Sequence, residues 1–199
     1  MSTEGSSVIS ESYHILTKNV DECRRIVNKE DKSLNDIADF LISLHLVLEI
    51  SINALIREII VNNLQKTIDK AKIVGNLDRI SFIDKTVLFV YMEKYDFPVY
   101  EDILAADEHH GIIGTMKSFA ETRNFLMHGS MIGGFLDGKS SNTVVVPRLT
   151  MEHMNDQIGK FKKICDGMKF YLEHLATRNP DIDRLKGVFL SYEFLQISK

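Results

Sequence analysis

From Ile9 to Asn28 the apolar positions Tyr13, Leu16, Val20, Cys23 and Val27 recur at alternating spacings of three and four, the period that gathers side chains on one stripe of a helix. A second stripe runs longer. Ser33, with Asp36 three residues on, gives a helix start, and Ile37, Leu41, Leu44, Leu48, Leu55 and Ile59 follow, widened by Phe40, Ile52 and Ile56. The spacing predicts a central helix over roughly 34–64. Ser81 opens a third segment through Ile83, Val87, Val90 and Tyr91, which stops before Phe97-Pro98 because the residue before proline resists helical geometry. A fourth helix is expected from about Ile112, with Met116, Phe119, Arg123 and Met127 on one face and Gly129 as its end. Thr150 caps a fifth, whose positions Met154, Ile158, Phe161, Cys165, Met168, Leu172 and Leu175 keep helical period until Asn179-Pro180.

Between Met131 and Arg148 this period disappears. Gly133, Gly134, the Asp137-Gly138 pair and the β-branched run Thr143 to Val146 predict a short β-hairpin or an irregular insert around 131–148. The expected fold class is therefore all-α: an up-and-down helical bundle over 8–178, preceded by a flexible polar segment, 1–7. An extension, 179–199, is apolar enough to pack on the bundle, and its stretch from Val188 to Ile197 fits a helix and a strand equally well.

Composition narrows the function classes. A chain of 199 residues, 44% hydrophobic and without an internal Gly/Ser/Pro linker, can bury one substantial core. Its net charge of -4 gives no broad cationic surface, so a nucleic acid would be held by a local site or by one assembled between subunits. Cys23 and Cys165 lie on separate predicted helices with no metal-ligand spacing, which suits free thiols in a reducing cytoplasm. The first residues lack an apolar signal core, and His45, Glu49, Arg57 and Glu58 interrupt the most hydrophobic stretch. Neither export nor a membrane span is expected.

Candidate chemistry concentrates in Arg123-Asn124-Phe125-Leu126-Met127-His128-Gly129. It combines a permanent cation with a proton carrier of near-neutral pKa, a pair suited to cleaving a phosphodiester without a metal. His128 lies about 140° round the helix from Arg123, whereas Asn124 and His128, four apart, share a face. The competing reading pairs Arg123 with a core carboxylate and makes His128 a helix-terminal residue favoured by the macrodipole. His45 and Glu49, also four apart, border the apolar stripe of the central helix. Glu49 is expected to support Arg123 or His128 from behind with His45 nearby; the alternatives are solvent contact or a local His-Glu pair.

Other clusters are weaker. Asp107-Glu108-His109-His110-Gly111 is rich in potential ligands, but adjacent helical residues cannot converge on one ion, so a polar turn leading into the fourth helix, and no metal, is expected. Lys160, Lys162 and Lys163 form a basic run that would touch RNA phosphates or simply face solvent. The chain has no Walker or Rossmann phosphate loop and no Gly-x-Ser-x-Gly elbow.

The stretch Phe119 to Gly129 resembles the signature of the HEPN (higher eukaryotes and prokaryotes nucleotide-binding) superfamily, in which an arginine, usually followed by a polar residue, precedes a histidine by a short spacer. Here the spacer is four residues and the polar follower is Asn124. Helix order extends the resemblance over roughly Ile9 to Ala176, though only the short signature is specific. The resemblance implies a HEPN-like bundle that dimerises with signature helices facing one cleft and, in active members, cuts RNA without metal or cofactor. On this chain Arg123 would bind the scissile phosphate, His128 would move the proton, and Asn124 would orient either; two copies would supply both acid and base. The implied function is a metal-independent endoribonuclease, acting as a homodimer on RNA in toxin-antitoxin or antiphage defence, with an antitoxin or other regulatory protein as a further partner. The alternatives are a catalytically silent module binding nucleotide, RNA or protein, and a structural regulator in which the signature is accidental.

Overall fold

The computed structural model describes residues 4–63, 79–82, 84–85, 106–127, 149–178 and 192–196. They form α1 (Glu4–Val27), α2 (Leu34–Asn63), α3 (Ala106–Met127), α4 (Met151–Arg178) and a 3-10 turn (Tyr192–Leu195), with no strand among the described residues. The fold is all-α. The predicted insert at 131–148 and most of the third predicted segment and of the 179–199 extension lie outside the described residues.

α2 is the central element, packed against α1, α3 and α4. Its stripe residues Ile37, Phe40, Leu41, Leu44, Leu48 and Ile52 are buried, and so is Val47. Leu34–Ala54 is long and apolar enough to cross a membrane, but 56% of that window is buried inside the bundle, as the core helix of a folded domain would be. At the start of α2, Asp36 N–H donates to Ser33 Oγ at 3.2 Å while Ser33 N–H donates back to Asp36 Oδ2 at 2.8 Å, the reciprocal cap that the Ser33/Asp36 spacing predicts. Lys29 Nζ closes on the same carboxylate at 2.6 Å. Hydrogen bonds from Lys29 and Ser33 hold the Asp36 carboxyl far below the usual range.

α1 begins at Glu4, five residues ahead of the predicted start, and takes Glu4 to Ser7 of the expected flexible segment into the helix. Once packed turns nucleate a helix, a polar turn extends it for one hydrogen bond per residue, so the helix outruns its apolar stripe. α3 likewise begins at Ala106 rather than near Ile112, which places Asp107 to Gly111 within the helix instead of in a turn leading to it. Acidic residues in a first turn complement the N-terminal end of the helix dipole. Along the expected face of α3, Met116 and Phe119 are buried, Arg123 is half-buried and Met127 is 59% exposed, so the helix leaves the core as it ends.

Thr150 caps α4 as predicted, its Oγ1 accepting from His153 N–H at 3.1 Å, and the helix ends at Arg178, before Asn179-Pro180. Phe161 of α4 is fully buried between Phe119 of α3 and Phe194 of the 3-10 turn, with ring centroids 6.3 and 6.0 Å away. Burying such a ring stabilises the fold by about 1.5–3 kcal/mol. Of the stretch Val188 to Ile197, the described residues 192–196 hold a single 3-10 turn, and the rest lies outside the described residues. Phe194 and Leu195 are consecutive rather than periodic, and both dock into the core while Glu193 stays outside.

Candidate functional site

One turn separates His45 from Glu49 on α2, and one turn separates Phe119 from Arg123 on α3. The imidazole of His45 stacks on Phe119 with centroids 5.8 Å apart and planes 19° from parallel, and Phe82 meets it edge-on at 4.9 Å. With His45 against Phe119, the next turn of each helix brings Glu49 and Arg123 into each other's electrostatic field.

His45 is 1% exposed, and neither ring nitrogen has a hydrogen-bond partner among the described residues. Its Nε2 lies 3.4 Å from Glu49 Oε2, close enough for attraction but too long and poorly directed for a good hydrogen bond. The other carboxylate oxygen, Oε1, is 3.6 Å from Lys85 Nζ. The imidazole of His45, then the charges of Lys85 and Arg123, hold the Glu49 carboxyl below its usual range against a burial that raises it.

Lys85 is 3% exposed, a rare condition for a lysine. A local device positions it. Asp84 N–H donates to Ser81 Oγ at 3.1 Å, Ser81 Oγ lies 2.6 Å from Asp84 Oδ2, and Lys85 N–H donates to the Ser81 carbonyl at 2.9 Å, forming a capped helical turn that aims Lys85 at α2.

Arg123 makes one side-chain hydrogen bond, from Nη1 to Asn124 Oδ1 at 3.1 Å, and no ion pair with a carboxylate among the described residues. The core-carboxylate alternative for Arg123 therefore takes a longer-range form: Glu49 attracts it without pairing with it. Asn124 is exposed. His128 lies outside the described residues, directly after Met127, the last residue of α3. Among the described residues, Glu49 lies in the field of two fixed cations, Lys85 and Arg123, before His45 is counted, an arrangement able to attract an anion.

The basic run on α4 is arranged differently. Lys160 pairs with Asp156 at 2.8 Å and donates to Ser118 Oγ at 3.0 Å, Lys162 sits over the Tyr192 ring at 5.5 Å, and Lys163 is exposed. Next to Lys160, burial and then the lysine's charge push the His153 imidazole below its usual value, against the pull of Asp156. Its Nε2 is 3.5 Å from Thr122 Oγ1, which joins α4 to α3. Both thiols are buried and raised by burial, which keeps them protonated and poor nucleophiles. No group of three or more His, Cys, Asp or Glu that could hold a metal occurs among the described residues.

Of the residues singled out in the sequence, His45, Glu49, Arg123 and Asn124 fall in or beside one cluster, and the three lysines fall on another helix. Lys85 and Phe82 were not singled out. The Ser81-x-x-Asp84 spacing signals a helix start and puts both residues in its first turn, but their destination depends on tertiary packing. Compared with protein-family models, curated proteins and solved structures, the chain matches none.

Proposed function

We propose that this protein is a metal-independent endoribonuclease of the HEPN type that works as a cytoplasmic homodimer. The observation that carries the reading is Arg123: a half-buried guanidinium near the end of α3, without a carboxylate partner among the described residues, whose nearby carboxylate Glu49 is already engaged by Lys85 and His45. A guanidinium in that condition is suited to bidentate contact with a phosphate. In the chain, the proton carrier His128 follows immediately where α3 ends.

In the proposed reaction the 2′-oxygen of a ribose attacks the adjacent phosphorus while a base removes its proton. The bond from phosphorus to the 5′-oxygen breaks, and an acid returns a proton to that oxygen, leaving a 2′,3′-cyclic phosphate and a 5′-hydroxyl. Arg123 stabilises the charge that builds on the phosphoryl oxygens. His128 from each of two subunits serves as base and acid, and the exposed side chain of Met127 offers apolar surface to the second copy.

The test is RNA incubated with the purified protein in EDTA, with fragment ends identified as cyclic phosphates. Arg123→Ala and His128→Ala should each reduce cleavage by on the order of 10²-fold or more with the fold intact. Cleavage surviving both substitutions, or absent from varied RNAs, removes the enzyme reading. RNA binding without cleavage that Arg123→Ala weakens would identify a silent binding module.

A further inference from the structure

We infer that Lys85 is a positioning residue: it anchors the Glu49 carboxylate on the buried side of the cluster and thereby keeps Arg123 from pairing with Glu49 and open to an external anion. Lys85 Nζ and His45 Nε2 approach opposite oxygens of Glu49, at 3.6 and 3.4 Å. Held at both oxygens, the carboxylate attracts Arg123 only from a distance, and Arg123 turns instead to the Asn124 side chain. Desolvating a lysine is costly, and a neutral side chain of similar length would fill the same space more cheaply. The charge at this position therefore needs an explanation beyond packing, and its effect on Glu49 supplies one. Without Lys85, Glu49 is a partly exposed carboxylate still in the electrostatic field of Arg123, and the guanidinium fork is well shaped to capture it. Once captured, Arg123 no longer offers its donors to a phosphate. That the anion is RNA phosphate rests on the function proposed above; the division of Glu49 between its neighbours does not.

A double-mutant cycle tests the division without any ligand. Glu49→Gln, Arg123→Ala and their combination are made in the wild-type and Lys85→Met backgrounds, and unfolding by urea gives the coupling between positions 49 and 123. The coupling should be at most about threefold in the unfolding constant with Lys85 present, and should rise to about tenfold without it. Equal coupling in both backgrounds, or tenfold coupling already in the wild type, overturns the inference. If Lys85→Met does not fold, Lys85→Gln carries the same cycle, keeping side-chain length and a donor without the charge. A second arm measures binding of a 2′-O-methyl oligoribonucleotide that cannot be cut. Lys85→Met should weaken it about tenfold, and adding Glu49→Gln should recover most of the loss. Should Arg123→Ala leave this affinity unchanged, the proposed function loses its phosphate seat while the cycle still decides the role of Lys85.

Discussion

Replacing His45 by phenylalanine should make the protein more stable and its candidate site less well tuned. His45 is buried, and among the described residues neither ring nitrogen has a hydrogen-bond partner. Each unsatisfied buried polar group costs about 1–3 kcal/mol, so removing both relieves about 2 kcal/mol at the lower end. The substitution gives up the 3.4 Å contact with Glu49, worth about 0.5–1 kcal/mol for a partly exposed carboxylate. Ring contacts with Phe82 and Phe119 are kept, at centroid spacings that already suit aromatic pairs. The net gain is about 1 kcal/mol, or about 2–4 °C in Tm for a chain of this size. His45→Ala, which loses the ring and leaves a cavity, should instead cost about 3 kcal/mol. Urea and thermal unfolding of the three proteins measure these differences. Carboxyl carbon NMR should show Glu49 titrating at higher pH in the phenylalanine variant, since the imidazole is the largest influence holding it down. A phenylalanine variant less stable than wild type by 1 kcal/mol or more would refute the reasoning, because it would make the imidazole a net stabiliser of the core.

Ser33→Ala should lower stability by about 1 kcal/mol in urea unfolding, through loss of the α2 cap. Asp36 makes the same turn sensitive to acid: its folded carboxyl lies below its unfolded value, so its contribution is present above the usual carboxylate range and is lost as pH falls below about 4. Stability measured from pH 5 to pH 2 should accordingly fall less steeply in Asp36→Asn than in wild type. Gly159 sits inside α4 with open space where a Cβ would stand, so Gly159→Ala should raise stability by about 0.5–1 kcal/mol in the same unfolding assay.

The helices were legible wherever local chemistry and burial agree. Ser33/Asp36 and Thr150 mark the starts of α2 and α4, and the buried stripes follow with helical period. The starts of α1 and α3 were less legible because their first turns are polar, and periodicity reports the buried part of a helix rather than its hydrogen-bonded length. At the candidate site, the spacing of His45 and Glu49 put them on one face of α2, a local property. The stacking of Phe119 on His45 and the burial of Lys85 arise between segments far apart in the chain, where no short spacing records them. A lysine in a sequence reads as solvent-facing by default, and only the partner found across the fold changes that.

The 3-10 turn at Tyr192–Leu195 packs on both α1 and α4, with Phe194 against Phe161. The bundle is therefore closed by a segment synthesised long after α1, and this contact cannot form before Phe194 and Leu195 have been made. Until then the apolar surface that Phe194 and Leu195 cover on α1 and α4 stays open to water, chaperones or another unfinished chain. Such non-local closure slows folding relative to a bundle of sequential hairpins. Loss of a few residues around Phe194 would thus act far from its own position, by unlatching α1 from α4.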